Sequence, residues 1–244
     1  MMFRDARIKI DRAGKHIRDV KAAVHALTEA YTASIEEHVP TGGHSIKFEC
    51  PGFEDRIVDI ALITGDAIHN LRTALDYAWV GTIERLGLPT TKFTKFPFQP
   101  DAQALENALK GIGIETVSSA LFAKFMTEIK PYPAGNSPLC SIHSVDITDK
   151  HKLLVPVVDY SEVKGMSVEN EHGVVLTGNS IPRLDSAGII YFDFDANITI
   201  KHTGQISASI LFHEGSPLAG FEISTELRFL SGLTRRVVEA LEEP

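Results

Sequence analysis

Helical periodicity through the first two thirds of the chain, β-type segments after residue 152 and a helical period again at the end predict an α+β fold. The expected order is an N-terminal helical bundle, a small antiparallel β meander or barrel, and a C-terminal helix. Helices precede strands in a block instead of alternating with them, which argues against βαβ repeats and a parallel sheet. The same change of period divides the chain into a helical bundle carrying polar motifs, residues 1–152, and an antiparallel β subdomain with its closing helix, residues 153–244. With 244 residues, 43% hydrophobic and 23% charged, such a chain can bury a substantial core without disulfide or metal staples.

Residues 4–38 read as one helix of roughly 50 Å, because Ile10, Ala13, Ile17, Val20, Val24, Leu27, Tyr31 and Ile35 recur in three-four alternation among charged residues. So narrow a stripe on so long a helix reads as the seam of a bundle or of a homodimer. Pro40 and Gly42-Gly43 end it, and His44–Cys50 alternates as a short strand. A second helix, 54–87, turns Ile60, Ile63, Ala67, Ile68, Leu71, Ala74, Leu75, Ala78 and Trp79 inward and stops at Gly87 and Pro89. Residues 90–100 hold three phenylalanines and two prolines with neither period sustained, so they form a packed loop. Asp101 caps a short helix to Lys110, and 115–130 forms another with Val117, Leu121, Phe125 and Ile129 on one face. Ser137-Pro138 opens a helix that gives way near Asp149 to a strand from Leu153. Segments 153–160, 173–177, 188–195, 198–202 and 205–212 supply about five strands, and Ser224 caps a last helix through Glu242 with Leu230, Leu233, Val237 and Leu241 inward.

A net charge of -8 excludes a broad electrostatic hold on nucleic acid, though a local basic patch could still act. The first residues turn charged at once and no run reaches the ~18 apolar residues of a spanning helix, so no membrane association and a cytoplasmic location are expected. Cys50 and Cys140 lie in no metal or redox spacing and read as free thiols in a reducing compartment. There is no GxSxG elbow, and Gly111-Ile112-Gly113 lacks the third glycine and preceding strand of a dinucleotide fingerprint.

Two polar segments remain, Gly65–Tyr77 and His143–Lys152. At ~100° per residue, His69, Arg72 and Asp76 fall within roughly 60° of one another, with Asp66, Asn70, Thr73 and Tyr77 extending the face. His, Asn, Thr and Tyr stand where an exposed helix normally carries Lys and Glu, and such residues line clefts. The competing reading is a solvated face with an i,i+4 pair Arg72–Asp76. In the second segment His143 and Asp146 share a face, and Asp149, Lys150 and His151 sit at an element junction, where fixed side chains escape the packed interior. His69, Asp76, His143, Asp146 and Asp149 suit a mixed nitrogen and oxygen site for a divalent metal, if the two segments meet. No HExxH, repeated ExxH or HxH spacing points to one.

The residues Gly65-Asp66-x-x-His69-Asn70-Leu71-Arg72-x-Ala74-Leu75-Asp76, Lys130-Pro131-Tyr132, Pro138-Leu139-x-x-Ile142-His143 and Asp149-Lys150-His151-Lys152 resemble a set of uncharacterised bacterial and phage proteins. In that set the helix reads close to HNLRSALDH and the junction close to DKHR. The resemblance spans about residues 60–160 and implies no particular activity. A more distant resemblance is to HEPN domains, helical bundles of prokaryotic toxin and defence proteins whose ribonuclease members use an Arg followed four to six residues later by His. Arg72 matches, but Tyr77 stands in the place of the histidine. A phenol with a pKa near 10 cannot serve as a base at neutral pH, so His69, His143 or His151 would have to take that part.

The expectation is therefore a polar cleft of His69, Arg72, Asp76, His143, Asp146 and Lys150 acting on a phosphodiester or nucleotide, in a defence- or toxin-like protein whose ligand is a small phosphate compound or RNA. Arg72 and Lys150 would hold phosphate while a histidine oriented by Asp76 or Asp146 moves protons. The alternative is a non-catalytic binding or interaction protein in which these residues form a hydrogen-bond network fastening helix to helix.

Overall fold

Helix α1 (Arg4–Glu29) ends at Glu29, short of residue 38, because the chain finds a better backbone partner beyond it. Strand β1 (Thr32–His38) pairs antiparallel with β2 (Gly43–Glu49), from Thr32 opposite Glu49 to His38 opposite Gly43. Tyr31 and Ile35 fit the helical period and a strand equally well, and pairing with a second segment decides between them. Gly42 closes the hairpin with φ +69°, a backbone that other residues rarely adopt. The computed structural model describes residues 3–38, 41–151, 156–173, 175–176, 183–184 and 188–243.

The stripe on α1 is real but is not an open seam. Ile10, Ala13, Ile17, Val20 and Leu27 are all buried within the single chain.

Helix α2 (Phe53–Arg85) is sheathed on nearly every side: between Thr64 and Ile83 only Asp66, His69 and Tyr77 are exposed. A helix buried all round is a core helix, not a surface one with a solvated polar face. Helix α3 (Ala102–Ile112) is capped by Asp101, whose carboxylate accepts from the Ala104 N–H at 2.8 Å. The expected helix over 115–130 is broken into α4 (Ile114–Val117), α5 (Ser119–Lys124) and a π-helical turn, Phe125–Ile129. Ser118 makes the break by leaving helical dihedrals and capping Leu121 N–H with its hydroxyl. Helix α6 (Ser137–His151) runs through Asp149 and Lys150, so both sit on a helix and not in a turn. Helix α7 (Ile223–Glu242) is capped by Glu222, whose carboxylate accepts from Ser224 and Thr225 N–H; Ser224 lies inside the first turn.

Among the described residues the strands form small antiparallel sheets built from β3 (Val157–Lys164), β4 (Ser167–Asn170), β5 (Val175–Leu176), β6 (Arg183–Leu184), β7 (Ile190–Phe194), β8 (Ile198–His202), β9 (Gln205–Leu211) and the N-terminal hairpin, in the orders β1-β2-β7-β6, β3-β9 and β5-β4-β8. The N-terminal hairpin joins the later strands because β2 pairs with β7, Ile46 opposite Phe192 and Phe48 opposite Ile190. Residues 153–155, where the first of these strands was expected to begin, lie outside the described residues.

The chain folds as two compact units, one of Met1–Val20, Ala61–Leu154 and Phe212–Pro244, the other of Lys21–Ile60 and Val155–Leu211. Of the four places where the chain passes between units, only the one after Leu154 falls near the expected boundary at 152. In the first unit Trp79 meets Phe125 and Phe96 edge-on at 5.1 and 6.5 Å. In the second, Ile46, Phe48, Met166, Ile190, Phe192 and Ile206 form the core. Among the described residues no helix is long and apolar enough to cross a membrane.

Candidate functional site

The two polar segments meet inside the first unit. Helices α2 and α6 run antiparallel, so residue numbers fall along one as they rise along the other: Arg72 reaches His143, His69 reaches Asp146, and Gly65 faces Asp149. Gly65 has a steric reason to be glycine, since a Cβ there would collide with the Asp149 carboxylate.

In the first rung Arg72 is buried and its partners His143 and Asp76 are half-buried. Arg72 is 5% exposed; its Nε donates to His143 Nδ1 at 3.2 Å, and its Nη1 lies 2.5 Å from Asp76 Oδ1. That second contact is an ion pair by distance, but its N–H is poorly aimed and makes no directed hydrogen bond. A guanidinium only donates, so the Nδ1 it approaches must carry a lone pair and the proton of a neutral ring sits on Nε2. Burial and then the charge of Arg72 push the His143 imidazole below its ordinary value, in keeping with a neutral ring. Phe98 closes the cluster. Its ring stacks on His143 at 4.8 Å and 3°, and the Arg72 guanidinium lies 4.9 Å from its centroid. Asp76 Oδ1 accepts from the Phe96 N–H at 2.8 Å, pinning the loop over the cluster.

The second rung faces outward. The Asp146 side chain is 4% exposed, while those of His69 and Lys150, hydrogen-bonded to its two oxygens at 2.9 and 2.5 Å, are 52% and 53% exposed. Burial alone would raise the Asp146 carboxyl, but the hydrogen bonds from Lys150 and His69 outweigh it and hold the group below the usual carboxylate range. An anionic Asp146 accepts the Nδ1 proton of His69, which fixes the tautomer of a neutral ring and leaves the lone pair on Nε2. Thr73 Oγ1 lies 3.5 Å from that nitrogen and donates to the His69 carbonyl at 2.8 Å.

All six expected residues thus lie along one helix pair, but as two clusters of different character. Arg72 is enclosed, whereas Lys150 keeps half of its side chain exposed. The five side chains considered for a metal do not converge. Both Asp146 oxygens are occupied, His143 Nδ1 accepts from Arg72, and among the described residues no group of three or more His, Cys, Asp or Glu could hold an ion. The side chain of His151 and all of Lys152 lie outside the described residues. Phe98, which covers His143, was legible in the sequence only as part of an aromatic-rich loop.

Other reactive groups fare worse. In the second unit, the Ser45 hydroxyl lies 2.5 Å from both His38 Nε2 and Asp193 Oδ1. A serine has one proton; given to the carboxylate, it leaves the hydroxyl accepting from His38, so the imidazole does not act as a base on Ser45. Cys140 is pushed up to about 11 by burial, and burial likewise raises Cys50, so neither presents a thiolate. A cleft of about 300 Å³ beside Arg85 and Lys124 has its cations engaged on α7: Arg85 donates to the Leu241 and Glu242 carbonyls at 2.7 Å and Lys124 to that of Ala240 at 2.8 Å.

No family model, curated protein or solved structure matches this chain.

Proposed function

We propose that the protein cleaves or transfers a phosphodiester or nucleotide phosphate, with His69 as the proton-transfer group, Asp146 as its orienting carboxylate and Lys150 as the cation for the phosphate. The observation that carries this reading is a half-exposed imidazole whose Nδ1 lies 2.9 Å from a buried carboxylate. His69 Nε2 takes the proton of an attacking hydroxyl or water as its oxygen bonds to phosphorus. The resulting imidazolium, stabilised by Asp146, returns that proton to the leaving oxygen as its bond to phosphorus breaks. Lys150 balances the charge that develops on the non-bridging oxygens.

The competing reading, a binding protein whose polar residues only fasten helices, is favoured for one half of the face by the 5% exposure of Arg72. The halves separate by experiment. Purified protein is assayed on labelled RNA oligonucleotides, cyclic phosphates and nucleotides beside His69→Ala and Asp146→Asn. Turnover that falls by roughly 10²–10⁴-fold in His69→Ala, with the unfolding midpoint unchanged, supports the chemical reading. Turnover equal in wild type and His69→Ala, or none on any of these substrates, sinks it.

A further inference from the structure

The loop between α2 and α3 sends its phenylalanines in opposite directions. Phe96 is 3% exposed and packs against Trp79 and Phe125, whereas Phe93 is 75% exposed. The turn that carries it is closed by its own threonines: Thr91 N–H donates to Thr94 Oγ1 at 2.9 Å, Phe93 N–H to Thr91 Oγ1 at 3.1 Å, and Thr94 N–H to the Thr91 carbonyl at 3.0 Å. Phe93 is therefore presented on a preorganised turn.

Its surroundings are basic and concave. The Lys92 ammonium lies 5.0 Å from the Phe93 ring centroid. Phe93, Thr91, Thr94 and Lys95 also line a hollow of about 250 Å³ floored by Trp79, Ile83, Pro89 and Ile112. Lys95 is the charged residue of that lining among the described residues, and no described carboxylate shares it. An aromatic face, an apolar hollow for a flat ring and two ammonium groups within four residues suit an unpaired base with its neighbouring phosphates.

We infer that the Lys92–Phe93–Lys95 turn is a stacking platform for single-stranded nucleic acid, one base lying on Phe93 and adjacent phosphates on the two lysines. This deepens the phosphodiester reading by naming its substrate class, and its test does not depend on turnover. Two phosphate contacts agree with the net charge of -8, which rules out a broad electrostatic grip.

Anisotropy of a labelled single-stranded RNA is measured on the whole protein, with a DNA strand, a hairpin duplex and free nucleotide as comparison arms. Phe93→Ala should weaken strand binding roughly tenfold, and Phe93→Trp should keep it and report stacking through its own fluorescence. Lys92→Ala and Lys95→Ala should each lower the slope of log K on log salt by about 0.7. Loss of binding in Phe93→Ala without any cleavage by wild type upholds the platform while the chemical reading fails. Strand binding undiminished by Phe93→Ala, duplex bound as well as the strand, or free nucleotide competing as well as the strand each overturns it.

Discussion

The inner and outer halves of the α2–α6 seam hold the same chemical types, a basic residue, a carboxylate and a histidine, only one helical turn apart. In the inner half, Arg72 and His143 are committed to each other beneath Phe98, and Asp76 is tied to the loop. In the outer half, Asp146 alone is buried and its partners His69 and Lys150 stand half in solvent. Residue type did not distinguish them. A loop lying over one pair and not the other did.

The comparison breaks first at Arg72. Arg72→Ala strands Asp76 and leaves a space against Phe98, and we expect a loss of about 2–3 kcal/mol in urea unfolding, below the full buried-pair range because Asp76 keeps a quarter of its side chain exposed. A loss under ~0.5 kcal/mol would mean the inner cluster does not fasten the helices.

Gly65 tests how tightly they approach. Gly65→Ala gains helix propensity of up to about 1 kcal/mol but must displace the Asp149 carboxylate, so a net loss of roughly 1 kcal/mol is expected. In an Asp149→Ala background the same change should become neutral or stabilising. Additive effects in that double-mutant cycle would remove the proposed clash.

The halves should also titrate in separate windows. His143 is lowered below its ordinary 6.5 by burial and Arg72, so the folded state binds fewer protons than the unfolded chain. Its contribution is complete above about pH 6.5 and is lost as pH falls through the lower folded value. Asp146, lowered from 3.8, contributes above that value and fails only in stronger acid. Unfolding midpoints measured from pH 7.5 to 4.5 should therefore decline in wild type and flatten in His143→Gln. An unchanged slope in that variant would place the titration elsewhere.

The smallest effect on stability belongs to His69→Ala, within about 0.5 kcal/mol, because the imidazole is half exposed and water can replace it on Asp146. A loss of 2 kcal/mol or more would class the outer half with the inner one.

Much of the seam was legible beforehand. The angular spacing of His69, Arg72 and Asp76 and the shared face of His143 and Asp146 follow from helical geometry. Histidine, asparagine, threonine and tyrosine stand on this face in place of lysine and glutamate; of these Asn70 is buried, while His69 and Tyr77 are exposed. Its burial was less legible, because polar residues on a helix read as exposed until other elements cover them; α1 does so at Asn70, whose Oδ1 accepts from Lys9 Nζ at 3.3 Å. The aromatic content of residues 90–100 announced a packed loop but not that Phe93 would turn outward while Phe96 and Phe98 turned in.

By itself the sequence determined the α+β class and the main helices, because hydrophobic period and caps are local properties of the chain. It also determined which side chains share a helix face, since 100° per residue is fixed by the backbone. Tertiary structure alone decided that Thr32–His38 is a strand, because it pairs with β2, which in turn pairs with β7 more than 140 residues later. Only tertiary structure, too, made His69 and Lys150 share Asp146 in the open while Arg72 was buried and His143 stacked beneath Phe98. Exposure belongs to what packs around a residue, and no stretch of sequence carries that information about itself.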